Sequence, residues 1–164
     1  QDVKDMRTQV GKIKSATPDI VYMPLYPAGG IVAIKQLKEA NVAVHFFGGD
    51  AFLGDEIVKA GVSEGVMYSA AKVGNADEFK TKVKALTGVD GNIIAPLAYD
   101  AVKIYAKIIA KSGTDAKEIV KGLNSLSYTE GVSFPKISYD DNGDLEVAIY
   151  EVFIFKNGKA ELVN

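Results

Sequence analysis

The sequence predicts an α/β protein: a parallel, doubly wound sheet with crossover helices, followed by C-terminal helices and antiparallel strands. Three observations predict it. Between Asp19 and Leu86, short β-branched apolar runs alternate with stretches of helical period, the pattern of crossover units that lay helices on a parallel sheet. From Gly88 onward the alternation stops, and two helical stretches are followed by strands with hairpin turns between them. The chain has 164 residues, 48% hydrophobic and 24% charged. That is about one domain, long enough to bury roughly 70% of its unfolded surface without a covalent staple.

The elements follow in order. Residues 2–16 place Val3, Met6, Val10 and Ile13 three or four apart, a helical stripe. Thr17 ends it, because the residue before Pro18 avoids the helical region. Residues 19–25 form an apolar run expected to be a strand buried on both faces. Residues 29–40 return to helical period, with Gly29-Gly30 easing the strand-to-helix turn and Asn41 just past the helix end. A second strand at 42–47 ends in Gly48-Gly49-Asp50, and a short helix at 53–60 is stopped by Gly61. A third strand at 64–69 and an amphipathic helix at 77–86 complete this part.

Pro96 opens a strong helix reaching residue 111, proline being suited to a first turn. On it Leu97, Ala101, Ile104 and Ile108 share a face, and Lys103, Lys107 and Lys111 form a solvated row opposite. The next helix, 115–126, takes Thr114 as its expected cap. Strands are then expected at 134–139, 147–155 and 160–163, with a turn at 140–144 and a two-residue hairpin at Asn157-Gly158. One feature is odd. A sheet of crossover units normally opens with a strand, whereas this chain opens with a helix. Either that helix decorates an edge, or the chain is the C-terminal portion of something longer.

Composition removes several functions. Nineteen basic against 21 acidic residues leave a net charge of −2, no surplus with which to neutralise nucleic-acid phosphates. Arg7 is the single arginine, so bidentate clamps on phosphate are nearly unavailable. Without cysteine there is no disulfide, thiolate metal site or cysteine nucleophile, and the single His45 excludes a multi-histidine metal site. No apolar run approaches the roughly 18 residues of a membrane span. No signal-peptide pattern opens the chain, which carries little weight if Gln1 is not the natural start.

Motifs remove others. Neither GxGxxG nor GxxxxGK[ST] occurs. A GxSxG elbow is missing, and His45 reads as a residue on a strand face. The run Asp140-x-Asn142-x-Asp144 mimics a calcium loop but has Leu145 where that loop needs glycine. A phospho-receiver needs acids at several strand ends, and only Asp50 is found at one. What survives is the rim of the sheet. Tyr26 ends the first strand and Asp50 the second, with Phe52 two residues on. In a parallel sheet such ends share one edge, where ligands of open α/β sheets bind. A carboxylate, a phenol and an aromatic face suit a small solute with an ammonium group. Asp50 as a helix cap is the competing reading.

The segments Arg7-Thr-Gln-Val-Gly-Lys-Ile-Lys, Pro18-Asp19, Gly48-Gly-Asp50, Glu64-Gly-Val66, Tyr99-Asp-Ala-Val102 and Gly131-Val…Phe134…Asp140-Asp-Asn-Gly-Asp144, taken in order, carry a resemblance. The chain resembles the type I periplasmic binding proteins, most of all the leucine/isoleucine/valine-type receptors of ABC importers. The resemblance implies a periplasmic-binding-protein-like fold of two lobes around a ligand cleft, here without its N-terminal part. It divides the chain into a second-lobe segment at 1–88, helices and a strand of the first lobe at 89–145, and returning strands at 146–164. It makes Tyr26 a ligand contact and Asp50 the acid that holds the solute's α-ammonium, with aspartate where leucine-type members often have glutamate. It further implies a non-enzymatic binding protein without cofactor, and partners in a small amino-acid-like solute, an ABC transporter permease and a missing N-terminal lobe. The expected location is periplasmic or extracellular, lipid-anchored or soluble. A ligand-sensing domain of a receptor or transcriptional regulator, and an enzyme on the same layers, are the alternatives.

Overall fold

The computed structural model describes residues 4–74, 77–89 and 94–163. The chain forms two compact units, one of Gln1–Ala71 with Tyr150–Asn164 and one of Lys72–Ile149. Helix Asp77–Thr87, grouped on sequence with the sheet, clusters here with the second unit.

The first unit holds α1 (Arg7–Ala16), β1 (Ile20–Met23), α2 (Pro27–Glu39), β2 (His45–Gly48), a 3-10 turn (Asp50–Leu53), α3 (Glu56–Lys59), β3 (Met67–Ala71), β4 (Tyr150–Lys156) and β5 (Lys159–Leu162). The strands make one sheet in the order β1-β2-β3-β4-β5. The first three are parallel, and β4 and β5 add antiparallel. The α/β class and the crossover core are as the sequence predicts. The hairpin between β4 and β5 turns at Asn157 and Gly158, both with positive φ (52° and 72°). That is the backbone a two-residue turn of this hand requires. Asn41, also at positive φ, sits just past the end of α2.

Register and the two-residue period of strands sort the sheet into two faces. On one face Met23, Phe46, Tyr68, Ala70 and Phe155 are buried. Phe52 and Ile57, from the turn and α3, are also core residues, and α2 contributes Ala33, Ile34 and Leu37. Burial pushes the Tyr68 phenol above its ordinary pKa. The opposite face carries Ile20, Tyr22, Phe47, Met67, Val152 and Ile154, none of them buried. The expectation that residues 19–25 are a strand buried on both faces is therefore corrected. β1 is the sheet's edge, and its Ile20 and Tyr22 are 50% and 62% exposed.

Two local expectations also change. The helix expected at 53–60 is a 3-10 turn followed by a single α turn, Glu56–Lys59. Gly30 lies within α2 rather than in the turn before it. Its bare Cα makes room for a ring, since a Cβ there would lie 2.5 Å from Phe52 Cζ.

The second unit contains α4 (Asp77–Thr87), α5 (Ile94–Ser112) and α6 (Ala116–Asn124). α5 buries Pro96, Asp100, Ile104 and Ile108, a row at four-residue spacing. Leu97 and Ala101, expected on that face, are only half-buried and exposed respectively. Asp100, 1% exposed, accepts hydrogen bonds from the backbone N–H of Val132 (3.0 Å) and Ser133 (2.8 Å) and from the Ser133 hydroxyl. Asp115, not Thr114, caps α6, accepting from the N–H groups of Lys117 (2.9 Å) and Glu118 (3.2 Å). Residues 134–139 do not form the expected strand. They make isolated bridges, Tyr128 with Ile137 and Tyr139 with Leu145. The turn that follows is closed by Asp140, whose carboxylate accepts from the N–H groups of Asn142 and Asp144, each at 2.9 Å.

Candidate functional site

The rim is built by where two parallel strands stop. Met23 of β1 pairs with Gly48 of β2, so the residues after each emerge side by side at the carboxyl edge. After Met23 the chain turns tightly, with Leu25 N–H donating to the Met23 carbonyl (2.8 Å). Pro27 then starts α2, and Tyr26 is the residue before it. Its carbonyl accepts the Gly30 N–H at 3.0 Å, opening the helix ladder. A phenol cannot cap its own helix as a serine or aspartate does. The Tyr26 side chain makes no cap hydrogen bond and stands 83% exposed.

After Gly48 the chain enters the 3-10 turn, with Phe52 N–H donating to the Gly49 carbonyl (3.1 Å). Asp50 begins this turn but its side chain caps nothing. The competing reading of Asp50 as a cap is thereby removed. Among the described residues its carboxylate has no hydrogen-bond or ion-pair partner, and the side chain is exposed. Tyr22, Pro24, Leu25, Tyr26, Gly49, Asp50 and Ala51 line one shallow depression of about 270 Å³. Tyr26 and Asp50 thus come together as the sequence predicts.

Phe52 does not join them. It is 0% exposed, with its ring packed where side chains on Gly30 and Gly48 would otherwise stand. The sequence placed its aromatic face at the ligand. The structure places it in the core, because the 3-10 turn rotates residue 52 inward against two glycines. Phe52 holds up the rim from behind and offers no surface to a solute. Tyr22 is the lining residue that sequence reading missed. The available signal was the pair of tyrosines bracketing Met-Pro-Leu at a strand's end.

His45 is exposed at the start of β2, at the opposite end of the strand from Asp50. No lysine, arginine or histidine lines the depression. Among the described residues no cluster of acidic or histidine side chains offers a metal site, and no helix is long and apolar enough to cross a membrane.

Two parallel strands of the sheet thus end in an exposed acid and phenol that line one depression, and comparison places the chain in a family. The family model described as periplasmic binding protein matches residues 1–159, and the chain belongs to that family. Over 163 residues it is 26% identical to the Leu/Ile/Val-binding protein homolog 3 of Brucella melitensis, a match covering 95% of this chain and 44% of the relative. Its fold superposes with a TM-score of 0.75 on a leucine binding protein from Thermotoga maritima, at 24% identity over 99% of this chain and 48% of the other. It also superposes, at a TM-score of 0.67 and 20% identity, on an ABC transporter solute binding protein from Rhodopseudomonas palustris in complex with benzoate, covering 96% and 45%. These structural likenesses show the fold. The chain spans less than half the length of each of these three proteins, which are binding proteins by name.

Proposed function

We propose that the chain is the ligand-holding part of an extracytoplasmic solute-binding protein, delivering a small amino acid or related amine-bearing solute to the permease of an ABC importer. In this reading it carries out no chemistry and needs no cofactor. Asp50 accepts the solute's ammonium group, Tyr26 lies against it, and Phe52 fixes the rim from the core side. The opposing wall comes from the first lobe, completed by residues beyond these 164, which closes over the solute by a hinge motion. The match to less than half of each relative supports that division.

One observation carries the reading: the unpartnered Asp50 carboxylate beside Tyr26, in a depression lined by no cationic side chain. An exposed acid left without a partner is a ready acceptor for a charged donor, and such hydrogen bonds are about twice as strong as neutral ones.

Calorimetry tests it. Leucine, valine and polar amino acids are titrated into this chain and into the longest natural chain that contains it. The longer chain is expected to bind an amino acid, and this chain to bind it far more weakly, because half a cleft leaves the solute open to water. Tight binding by the 164 residues alone contradicts the division into lobes. Binding of a carboxylate without an amine, and of no amino acid, contradicts the solute class.

A further inference from the structure

We propose that Tyr22 is a specificity-determining residue of this rim: with Tyr26 and Asp50 it completes a wall of four oxygens and two rings that accepts a primary ammonium group and turns away a carboxylate. The inference rests on the rim being the solute site and deepens that reading. It is carried by the place of Tyr22, not by the acid alone.

Tyr22 is the third residue of β1, on the face of the sheet that bears no buried side chain. Its ring lies 6.1 Å from that of Phe47 on the neighbouring strand. Its hydroxyl reaches across to the segment after β2, lying 3.9 Å from where a Cβ on Gly49 would be. Gly49 directly precedes Asp50, so a residue of β1 extends over the edge of the depression that β2 supplies. Neither Tyr22 nor Tyr26 has a hydroxyl partner among the described residues. Tyr22 is held by strand pairing and by Phe47, whereas Tyr26 stands on a loop.

The chemistry follows from counting donors. A primary ammonium carries three N–H groups, as lysine's does. A carboxylate on one side satisfies part of that set, and two phenol oxygens beside it can satisfy the rest. The two rings add cation–π attraction for the same charge. A carboxylate brought to this wall meets Asp50 with like charge and no lysine or arginine to offset it. The amino end of α2 opens on the same edge, and a helix start attracts anions. The balance between these two pulls is what the experiment reads.

Methylammonium chloride and sodium acetate, at matched ionic strength, are titrated into the 164-residue chain while the tyrosine ring signals are followed by NMR. Saturable shifts of the Tyr22 and Tyr26 rings with methylammonium, and none with acetate, are expected. Tyr22→Phe keeps the ring and its contact with Phe47 but removes the oxygen, and is expected to weaken methylammonium binding about tenfold, the effect of losing one hydrogen bond to a charged group. Saturable shifts with acetate, no response to methylammonium, or equal methylammonium affinity in Tyr22→Phe each overturn the proposal. Isoleucine separates it from the wider function. If isoleucine binds parent and Tyr22→Phe equally, the role of Tyr22 is overturned while the amino-acid reading stands. If methylammonium binding depends on Tyr22 and the longest natural chain containing these residues does not bind isoleucine, the ammonium wall is supported and the amino-acid reading fails.

Discussion

The sheet unit and the unit Lys72–Ile149 are held together by different means. In the first, apolar side chains from successive elements meet on one face of a sheet, and polar groups are left to the rim. In the second, a long helix buries a carboxylate, and loop backbone folds onto it. The first is a core of repeated units, and the second adds a polar clamp to its apolar core. Repetition is written in sequence period. A clamp depends on partners 32 and 33 residues away, which no local pattern announces.

The largest expected effect sharpens the apolar side of this contrast. Phe52→Ala empties a space framed by two glycines that cannot fill it. It is expected to cost about 3–5 kcal/mol, read as a lower denaturant midpoint and faster exchange of β2 and β3 amides. A loss below 1 kcal/mol would show that the ring is not the keystone of the rim.

Asp100→Ala tests the clamp. It leaves the N–H groups of Val132 and Ser133 and the Ser133 hydroxyl without their acceptor. A cost of about 3 kcal/mol is expected, since each buried donor left unsatisfied costs about 1–3 kcal/mol. Amide exchange at residues 132 and 133 should rise with it. If those two amides stay protected, the carboxylate is not what holds them.

Asp115→Ala removes the α6 cap and is expected to cost about 1 kcal/mol, visible as fraying of the first turn of α6. Thr114→Ala is expected to cost much less, and the reverse order would return the cap to Thr114.

The smallest effect is a pH dependence. Hydrogen bonds from the Asp144 N–H first, then the Asn142 N–H, hold Asp140 below the ordinary carboxylate pKa. A depressed folded value stabilises the turn at pH above the unfolded value near 3.9. That contribution is lost as the pH falls through the folded value. Amide shifts of residues 142–144 should therefore change only in acid, and Asp140→Asn, which cannot titrate, should abolish that transition.

How far the sequence was legible follows the same contrast. The alternation of strand and helix, the rim pairing of Tyr26 with Asp50 and the Asn157-Gly158 hairpin were all readable, because each is a local pattern. Phe52 was misplaced because the 3-10 turn after Asp50, not an α-helix starting at residue 53, sets which way the ring points. Asp100 was missed because an acid at helical spacing from Pro96 and Ile104 reads as a break in the apolar stripe. Its partners lie in a loop with no signature of its own. Residues 134–139 have the composition of a strand, but there single bridges to Tyr128 and Leu145 replace a continuous ladder.

The central claim, that Asp50 receives an ammonium group, is tested most directly by a double cycle. The longest natural chain carrying these residues, parent and Asp50→Asn, is titrated with isoleucine and with its deaminated analogue, 3-methylpentanoate. If the two groups meet, removing both costs less than the sum of removing each, with a coupling of about 1.5–3 kcal/mol, the range for a hydrogen bond to a charged group. Additive losses, with the carboxylate and the amine acting independently, would contradict the account.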